Sequence, residues 1–241
     1  MILIGIITLT FLILLVLLLL YYRLSGMYRI QILVFKVDSN GMVEKGFENL
    51  FHKEKKLRKE AFKNVEMNMD ESFFTDDDLK SEYFITTVFD SKTKEVLLVS
   101  RHYFNKKMIV KNLSFNRTSE CEWLDLGINN FKEGELFLAD RLAGNETHPI
   151  YQKHRQYIFN VYYSKFITLY SNCKLVLFAR SQLKENLLSK YIRIGFNLIG
   201  CIEHNERKHW IVINDLSKSY KFIDKTLRSF LILKILQLIK K

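Results

Sequence analysis

The stretch from Lys174 to Arg180 (KLVLFAR), together with the stretch from Tyr191 to Phe196 (YIRIGF), decides the fold class of this chain. The first stretch is an apolar run of strand length and predicts a buried β-strand. Residues 182–193 predict a helix, and Gly195 follows as the left-handed residue with which helices commonly end. Phe196 then opens a second apolar strand. Strands that alternate with a helix in this way predict a mixed sheet with helices packed on its faces.

The segments on either side of this unit extend the pattern. Downstream, residues 196–204 and 208–214 predict a hairpin. Upstream, the pattern predicts a strand at 28–37, a helix at 47–62, a hairpin of strands at 83–90 and 95–103, a strand at 135–141 and a helix at 151–170. The resulting order is β, α, β, β, β, α, β, α, β, β. We therefore expect an α+β (α/β mixed sheet) fold.

The N-terminus predicts a membrane anchor. No charged residue occurs from Met1 to Tyr22, and this run is long enough, at about 1.5 Å per residue, to cross a hydrocarbon core of roughly 30 Å. No basic residue precedes the run and its apolar core is too long for a cleaved signal peptide. Arg23 and Arg29 follow it, so the positive-inside rule predicts a single-pass membrane protein whose C-terminal domain is cytoplasmic.

Charge and composition exclude several other classes of protein. The net charge is +11, but residues 217–241 hold seven basic residues and one acidic residue, so most of the excess lies in a tail and no nucleic-acid partner is expected. Residues 226–241 predict a basic amphipathic helix that either lies on anionic lipid or packs against the core. Neither the three cysteines nor the histidines show metal-ligand spacing, so no metal is expected. The predicted divisions are 1–22 (anchor), 23–216 (domain) and 217–241 (helix).

Several motifs, in this order, resemble the GNAT acyltransferase superfamily. Within it they are similar to the acyl-homoserine-lactone synthases and long-chain N-acyl amino acid synthases, over about residues 45–215. The motifs are KKLRKEAF at Lys55–Phe62, the acids Asp76–Asp78, Tyr83–Ile85, Ser100-Arg101, LADRL at Leu138–Leu142, and YIRIGF at Tyr191–Phe196.

The resemblance implies a GNAT-like fold and an N-acyltransferase that moves a fatty acyl group from an acyl-carrier-protein or acyl-CoA thioester to a small amine acceptor. The resemblance implies no bound cofactor. Tyr191 matches the tyrosine that protonates the departing thiolate, and Glu135 and Asp140 are the candidate bases. Arg58, Arg101 and Arg141 match basic positions of the group and, with Asp77 and Asp78, are expected to form the acceptor cleft, because Arg forks suit carboxylates.

Two departures from the family pattern leave a second interpretation open. The glycine-rich phosphate loop is absent, and the same place reads YQKHRQ at Tyr151–Gln156. Lys153, His154 and Arg155 are then the expected contacts for the donor's phosphates, and the loss of glycine favours a carrier-protein donor. Leu138 stands where the synthases have a Glu three residues before their strand-ending Arg. The alternative is a catalytically inactive GNAT-like module that binds or scaffolds at the membrane.

Overall fold

The structure is a computed structural model that describes residues 2–63, 82–105, 131–180, 189, 191–192, 195–204 and 207–219. Its helices are α1 (Ile2–Ser25), α2 (Glu48–Lys63) and α3 (Pro149–Leu169), and its strands are β1 (Ile30–Val37), β2 (Tyr83–Asp90), β3 (Val96–Tyr103), β4 (Leu136–Gly144), β5 (Lys174–Arg180), β6 (Asn197–His204) and β7 (Arg207–Asp215). The predicted acids Asp76, Asp77 and Asp78, most of the predicted helix 182–193 and the predicted helix 226–241 lie outside the described residues.

The strands form one seven-stranded sheet in the order β1-β2-β3-β4-β5-β7-β6. Every neighbouring pair is antiparallel except β4 and β5, which are parallel. A parallel pair needs a crossover connection, and α3 supplies it between the end of β4 and the start of β5. The predicted mixed sheet is therefore confirmed.

The two faces of the sheet are covered by different helices. Successive side chains of a strand point to opposite faces. In β3, Ser100 and His102 point to the face covered by α3, where their partners are Tyr162 of α3 and Tyr170, which directly follows that helix. Tyr103 belongs instead to the buried cluster on the α2 face. The core thus consists of two apolar layers with the sheet between them.

The two parallel strands separate part of the way along their length. Their pairing runs from Leu136 opposite Lys174 to Ala139 opposite Leu177 and then stops. Both strands nevertheless continue, and each stays paired to its outer neighbour, β3 or β7. The sheet therefore opens into a gap between residues 140–144 of β4 and residues 178–180 of β5, which we name the β4–β5 cleft.

A β-bulge lies at the edge of this cleft. Val99 is opposite Ala143 and Arg101 is opposite Asp140, so Ser100 faces two residues of β4 rather than one. Arg141, one of the two, adopts a left-handed backbone with φ of 51°. The prediction that the strand ends at Arg141 is wrong, because β4 continues past the bulge to Gly144 in register with β3.

The helix end predicted at Gly195 is confirmed. Gly195 has φ of +100°, and its N–H donates to the carbonyl of Ile192 at 3.0 Å. The N–H of Phe196 donates to the carbonyl of Tyr191, also at 3.0 Å. This pair of bonds is a Schellman motif, and it turns the chain directly into β6.

Helix α1 is long and apolar enough to cross a membrane. Residues Ile6–Ser25 have a mean hydropathy of 2.4, and none of this segment's apolar window is buried in the rest of the protein. The helix ends three residues beyond the charge-free run, at Ser25, and Gly26 follows with φ of +77°.

Candidate active site

Arg101 and Asp140 form a buried ion pair at the inner end of the β4–β5 cleft. The guanidinium contacts both carboxylate oxygens, Nε to Oδ1 at 2.9 Å and Nη2 to Oδ2 at 2.7 Å. The Arg101 side chain is 1% exposed and that of Asp140 is 15% exposed. The rings of Tyr83 and Tyr103 lie 5.9 and 5.7 Å from the guanidinium carbon, which holds the fork in one position. The structure thus joins Arg101, which was predicted for the acceptor cleft, to Asp140, which was predicted as a candidate base.

A second buried pair lies on α2, which packs against β3 and β4. Arg58 donates from Nε and Nη2 to the two carboxylate oxygens of Glu54, at 2.7 and 2.9 Å. The two residues are one helical turn apart, so they share a face of α2. Both side chains are at most 3% exposed. Arg58 therefore lies on the same face of the sheet as Arg101.

Tyr162 is a residue of this region that the sequence reasoning missed. It lies on α3, and its hydroxyl donates to Ser100 Oγ at 2.6 Å, directly opposite the bulge. Both residues are buried, and burial raises the pKa of Tyr162. The sequence offers no signal for this contact, because Tyr162 occupies an apolar helical position like its neighbours.

Tyr191 lies on the α3 face, near Tyr162. Its ring packs against Phe159 and Phe196, with centroids 6.4 and 5.3 Å away. Negative charge on either Tyr191 or Asp140 would raise the pKa of Tyr162, which places Tyr162 within electrostatic reach of both. Burial raises the pKa of Tyr191 to about 12, so its phenol keeps its proton at neutral pH.

Glu135 does not join this group. It precedes β4 at the end where the parallel pairing begins, and its Oε2 accepts from the N–H of Lys132 at 2.8 Å. Five residues of extended strand, about 16 Å at roughly 3.3 Å per residue, separate it from Asp140. Leu138 is fully buried in the cluster on the α2 face, so β4 offers no carboxylate at that position.

The three residues predicted to contact the donor phosphates have separate environments near the start of α3. Lys153 and Arg155 are exposed, and Arg155 forms an ion pair with Glu146. His154 is buried, and its Nε2 lies 2.8 Å from the carbonyl oxygen of Ser25 at the end of α1. His154 also has a non-helical backbone, so α3 is kinked at this residue. Two of the three side chains therefore face solvent, while the third contacts α1.

The remaining predicted residues are Arg141, Asp77 and Asp78. Arg141 lies in the bulge and is partly exposed. Asp77 and Asp78 are outside the described residues. Over the ranges that the structure does describe, no three His, Cys, Asp or Glu side chains lie together in a way that would hold a metal ion.

The fold, but not the sequence, matches known proteins. No protein-family model matches the chain, and no curated protein sequence matches it. One similar structure is the CoA-dependent acyl-homoserine lactone synthase BjaI with SAM and isopentyl-CoA. It has a TM-score of 0.54 and a sequence identity of 10%, and the match covers 81% of this chain and 89% of that one. Another is FeeM, an N-acyl amino acid synthase from uncultured soil microbes. It has a TM-score of 0.50 and a sequence identity of 11%, and the match covers 82% of this chain and 97% of that one. The likeness confirms the GNAT-like fold.

Proposed function

We propose that this protein is a membrane-anchored N-acyltransferase that moves a fatty acyl group from a carrier-protein or coenzyme A thioester to an amine. The observation that carries the proposal is the β4–β5 cleft, with the bulge, the Arg101–Asp140 pair and Tyr162 at its edge. The two synthases of similar fold, which act on acyl groups, support it.

The reaction needs a place for negative charge to develop. The nitrogen lone pair of the amine attacks the thioester carbon, and the carbonyl oxygen becomes an oxyanion before the C–S bond breaks. A β-bulge disrupts the ladder and leaves backbone groups unpaired locally. The bulge at Arg141 and Leu142 is the described feature at the cleft edge that is suited to present a backbone N–H to this oxyanion.

Two protons must move for atoms and charge to balance. The amine loses a proton as the C–N bond forms, and the thiolate gains one as it departs. Tyr191 suits the second step, because its buried phenol is protonated at neutral pH. Asp140 is the acceptor that we assign to the first step, directly or through water, since Glu135 lies at the far end of β4. Arg101 holds the Asp140 carboxylate in position and is a positioning residue.

The start of α3 favours a carrier-protein donor over free coenzyme A. A helix N-terminus binds a pyrophosphate through free backbone N–H groups, helped by glycines that permit close approach. Here the N–H of Ile150 donates to Nδ1 of the capping residue His148 at 3.2 Å, and Pro149 at the first position has no N–H. Fewer donors therefore remain for a phosphate.

The experiment that tests the function is mass spectrometry of lipid extracts from cells with and without the protein. We expect a new species containing an acyl amide in cells that express the wild-type chain. The matched control is Tyr191→Phe at equal expression, which keeps the ring and removes the proton. A wild-type protein that is folded and membrane-bound but changes no acyl amide would contradict the proposal.

The same outcome would favour the second candidate, an inactive module that binds or scaffolds at the membrane. The observation in its favour is Leu138, which stands where the synthase pattern has a carboxylate and is fully buried in the core. Binding of an acyl thioester without turnover would distinguish this candidate from an unrelated use of the fold.

A further inference from the structure

The β4–β5 cleft opens toward the end of the sheet that adjoins α1. Strand direction shows this, because β1 begins next to α1 at Ile30 and is paired there with Asp90 at the end of β2. The antiparallel register then places the start of β3 and the end of β4, at Gly144, at the same end. The parallel pair separates beyond Ala139, toward Gly144, so the open side of the cleft is the side of α1.

The C-terminal end of α1 packs directly against the first turns of α3, which follows β4 and the mouth of the cleft. Only Gly26 and one short turn (Met27–Arg29) separate α1 from β1. A Cβ on Gly26 would lie 3.4 Å from Cδ1 of Ile150, in the first turn of α3. The Ser25 carbonyl oxygen and Nε2 of His154 are 2.8 Å apart. The anchor is therefore joined to the domain without a flexible spacer, and its orientation sets that of the cleft.

Tyrosines lie at the contact between α1 and α3. The rings of Tyr22 and Tyr28 lie 6.3 Å apart. Burial, and then a negative charge on nearby Tyr22, would raise the pKa of Tyr157 on α3, which places Tyr157 close to Tyr22. The hydroxyls of Tyr22 and Tyr157 are buried and have no hydrogen-bond partner within the described ranges. Tyr21, beside this contact, is 62% exposed, and an exposed tyrosine with an apolar body and a polar tip is typical of the membrane–water interface, where headgroups and water supply partners.

The charge at this end of the protein fits an anionic lipid surface. Exposed cations outnumber exposed carboxylates among the described residues here. The cations are Arg23, Lys92, Lys94, Lys153 and Arg155, and the carboxylates are Glu95 and Glu146. Basic residues close to a membrane surface are attracted to anionic headgroups over about a Debye length.

We propose that the mouth of the β4–β5 cleft lies at the headgroup level of the bilayer, so that a fatty acyl chain passes directly between the cleft and the leaflet. The ligand is the acylated product, a membrane-resident amphiphile with a long acyl chain, which leaves the cleft for the leaflet. This inference rests on the proposed function for its ligand and on α1 as the anchor for its geometry. Its advantage is that the chain never crosses water, where its exposed apolar area would be unfavourable.

The geometry is tested by depth-dependent fluorescence quenching with the full chain in vesicles of phosphatidylcholine and phosphatidylglycerol. Single cysteines are introduced after replacement of Cys121, Cys173 and Cys201 by serine: Thr147→Cys at the mouth and Asn40→Cys at the opposite end of the sheet. Strands of eight residues at roughly 3.3 Å each separate the two ends by about 26 Å. We expect a nitroxide on the lipid headgroup to quench the label at 147 several-fold more than the label at 40.

Tyr21→Cys in the anchor serves as the insertion control. A quenched label at 21 with equal or weaker quenching at 147 than at 40 would overturn the inference, as would an unquenched label at 21. Passage of the chain is tested by a phosphatidylcholine that carries a diazirine in its acyl chain. Cross-links to residues 140–144 of β4 are expected, and cross-links confined to α1 would contradict direct passage.

The two proposals fail separately. If the vesicle protein makes an acyl amide while the label at 147 stays unquenched, the inference is wrong and the acyltransferase function stands. If the label at 147 is quenched and β4 is cross-linked but no acyl amide forms, the mouth position stands and the enzymatic proposal is wrong.

Discussion

Arg101 and Asp140 are directly opposite each other on β3 and β4, and two hydrogen bonds of 2.9 and 2.7 Å join their side chains. The pair lies where β4 leaves β5, so it supports both the sheet and the cleft. Removing one charge of a pair this buried would destabilise the protein, because the other charge would stay buried without a partner of opposite sign.

Arg101→Ala should therefore lower both stability and acyl transfer. We expect the free energy of unfolding to fall by about 3–5 kcal/mol, as for other buried pairs that lose one partner. The double variant Arg101→Met/Asp140→Leu should recover part of this loss, since it buries no lone charge. Denaturant unfolding in detergent measures the free energy of unfolding of the single and the double variant, and a turnover assay measures acyl transfer.

Lys56→Ala is the matched control, because it breaks the exposed pair with Glu60 on α2. We expect it to leave stability within about 0.5 kcal/mol of the wild type. A loss for Arg101→Ala no larger than that of the control would show that the Arg101–Asp140 pair does not support the sheet.

Tyr191→Phe should reduce turnover by about 10- to 100-fold, at the lower end of general-acid effects. The fold should survive, because the ring and its contacts with Phe159 and Phe196 remain. The defect should be smaller with a donor whose thiol is more acidic, since that leaving group needs less protonation. Turnover with two thioesters of different thiol acidity measures this. Equal losses with both donors would remove Tyr191 from the proton transfer.

Tyr162 and Ser100 should be energetically coupled. Their 2.6 Å hydrogen bond is buried, so Tyr162→Phe and Ser100→Ala should each destabilise the protein by about 1–2 kcal/mol. The double variant should cost less than the sum, with a coupling energy of at least about 0.5 kcal/mol. A strictly additive double-mutant cycle would mean that the bond contributes nothing. Tyr162→Phe should also lower turnover if the bulge depends on this contact.

His102 should make the protein sensitive to mild acid. Burial lowers its pKa to about 3 from an ordinary 6.5, so the folded state holds the neutral ring against Tyr170 and Thr86. The unfolded chain binds a proton below pH 6.5 and the folded chain does not, so the stabilisation present above that pH is lost as pH falls toward 3. The loss is about 1.4 kcal/mol per pH unit.

The measurement is the free energy of unfolding between pH 6.5 and 5, where most carboxylates stay ionised. The control is His102→Gln, which does not titrate and retains an amide to contact Tyr170. We expect a flatter pH profile for the variant. Parallel profiles for the two proteins would refute the buried neutral histidine as the source of acid sensitivity.

The domain should be on the cytoplasmic side of the membrane. Arg23 and Arg29 follow the apolar run of α1, and positive charge is retained on the cytoplasmic side. A single cysteine at the exposed position Asn40, in the protein without its native cysteines, should react with a membrane-impermeant maleimide only after cells are permeabilised. Labelling in intact cells would reverse the topology and separate the cleft from cytoplasmic thioesters.

The sequence by itself determined the features that depend on residues close together in the chain. The period of apolar residues predicted the helices and strands that the structure describes, apart from a few terminal residues. Gly195 predicted a helix end because a left-handed residue is needed there, and its φ of +100° agrees. The uncharged run before Arg23 likewise predicted the apolar helix α1.

Only the tertiary structure decided which side chains meet. Arg101 and Asp140 are 39 residues apart in the chain, and their contact follows from the register of β3 and β4. Tyr162 and Ser100 are 62 residues apart, and their contact follows from the position in which α3 packs on the sheet. The bulge at Arg141 shifts the register of β4 against β3 by one residue, and no local sequence pattern predicts it. The cleft exists because β4 and β5 lose their pairing while each keeps its outer neighbour, and the geometry of the whole sheet determines this balance.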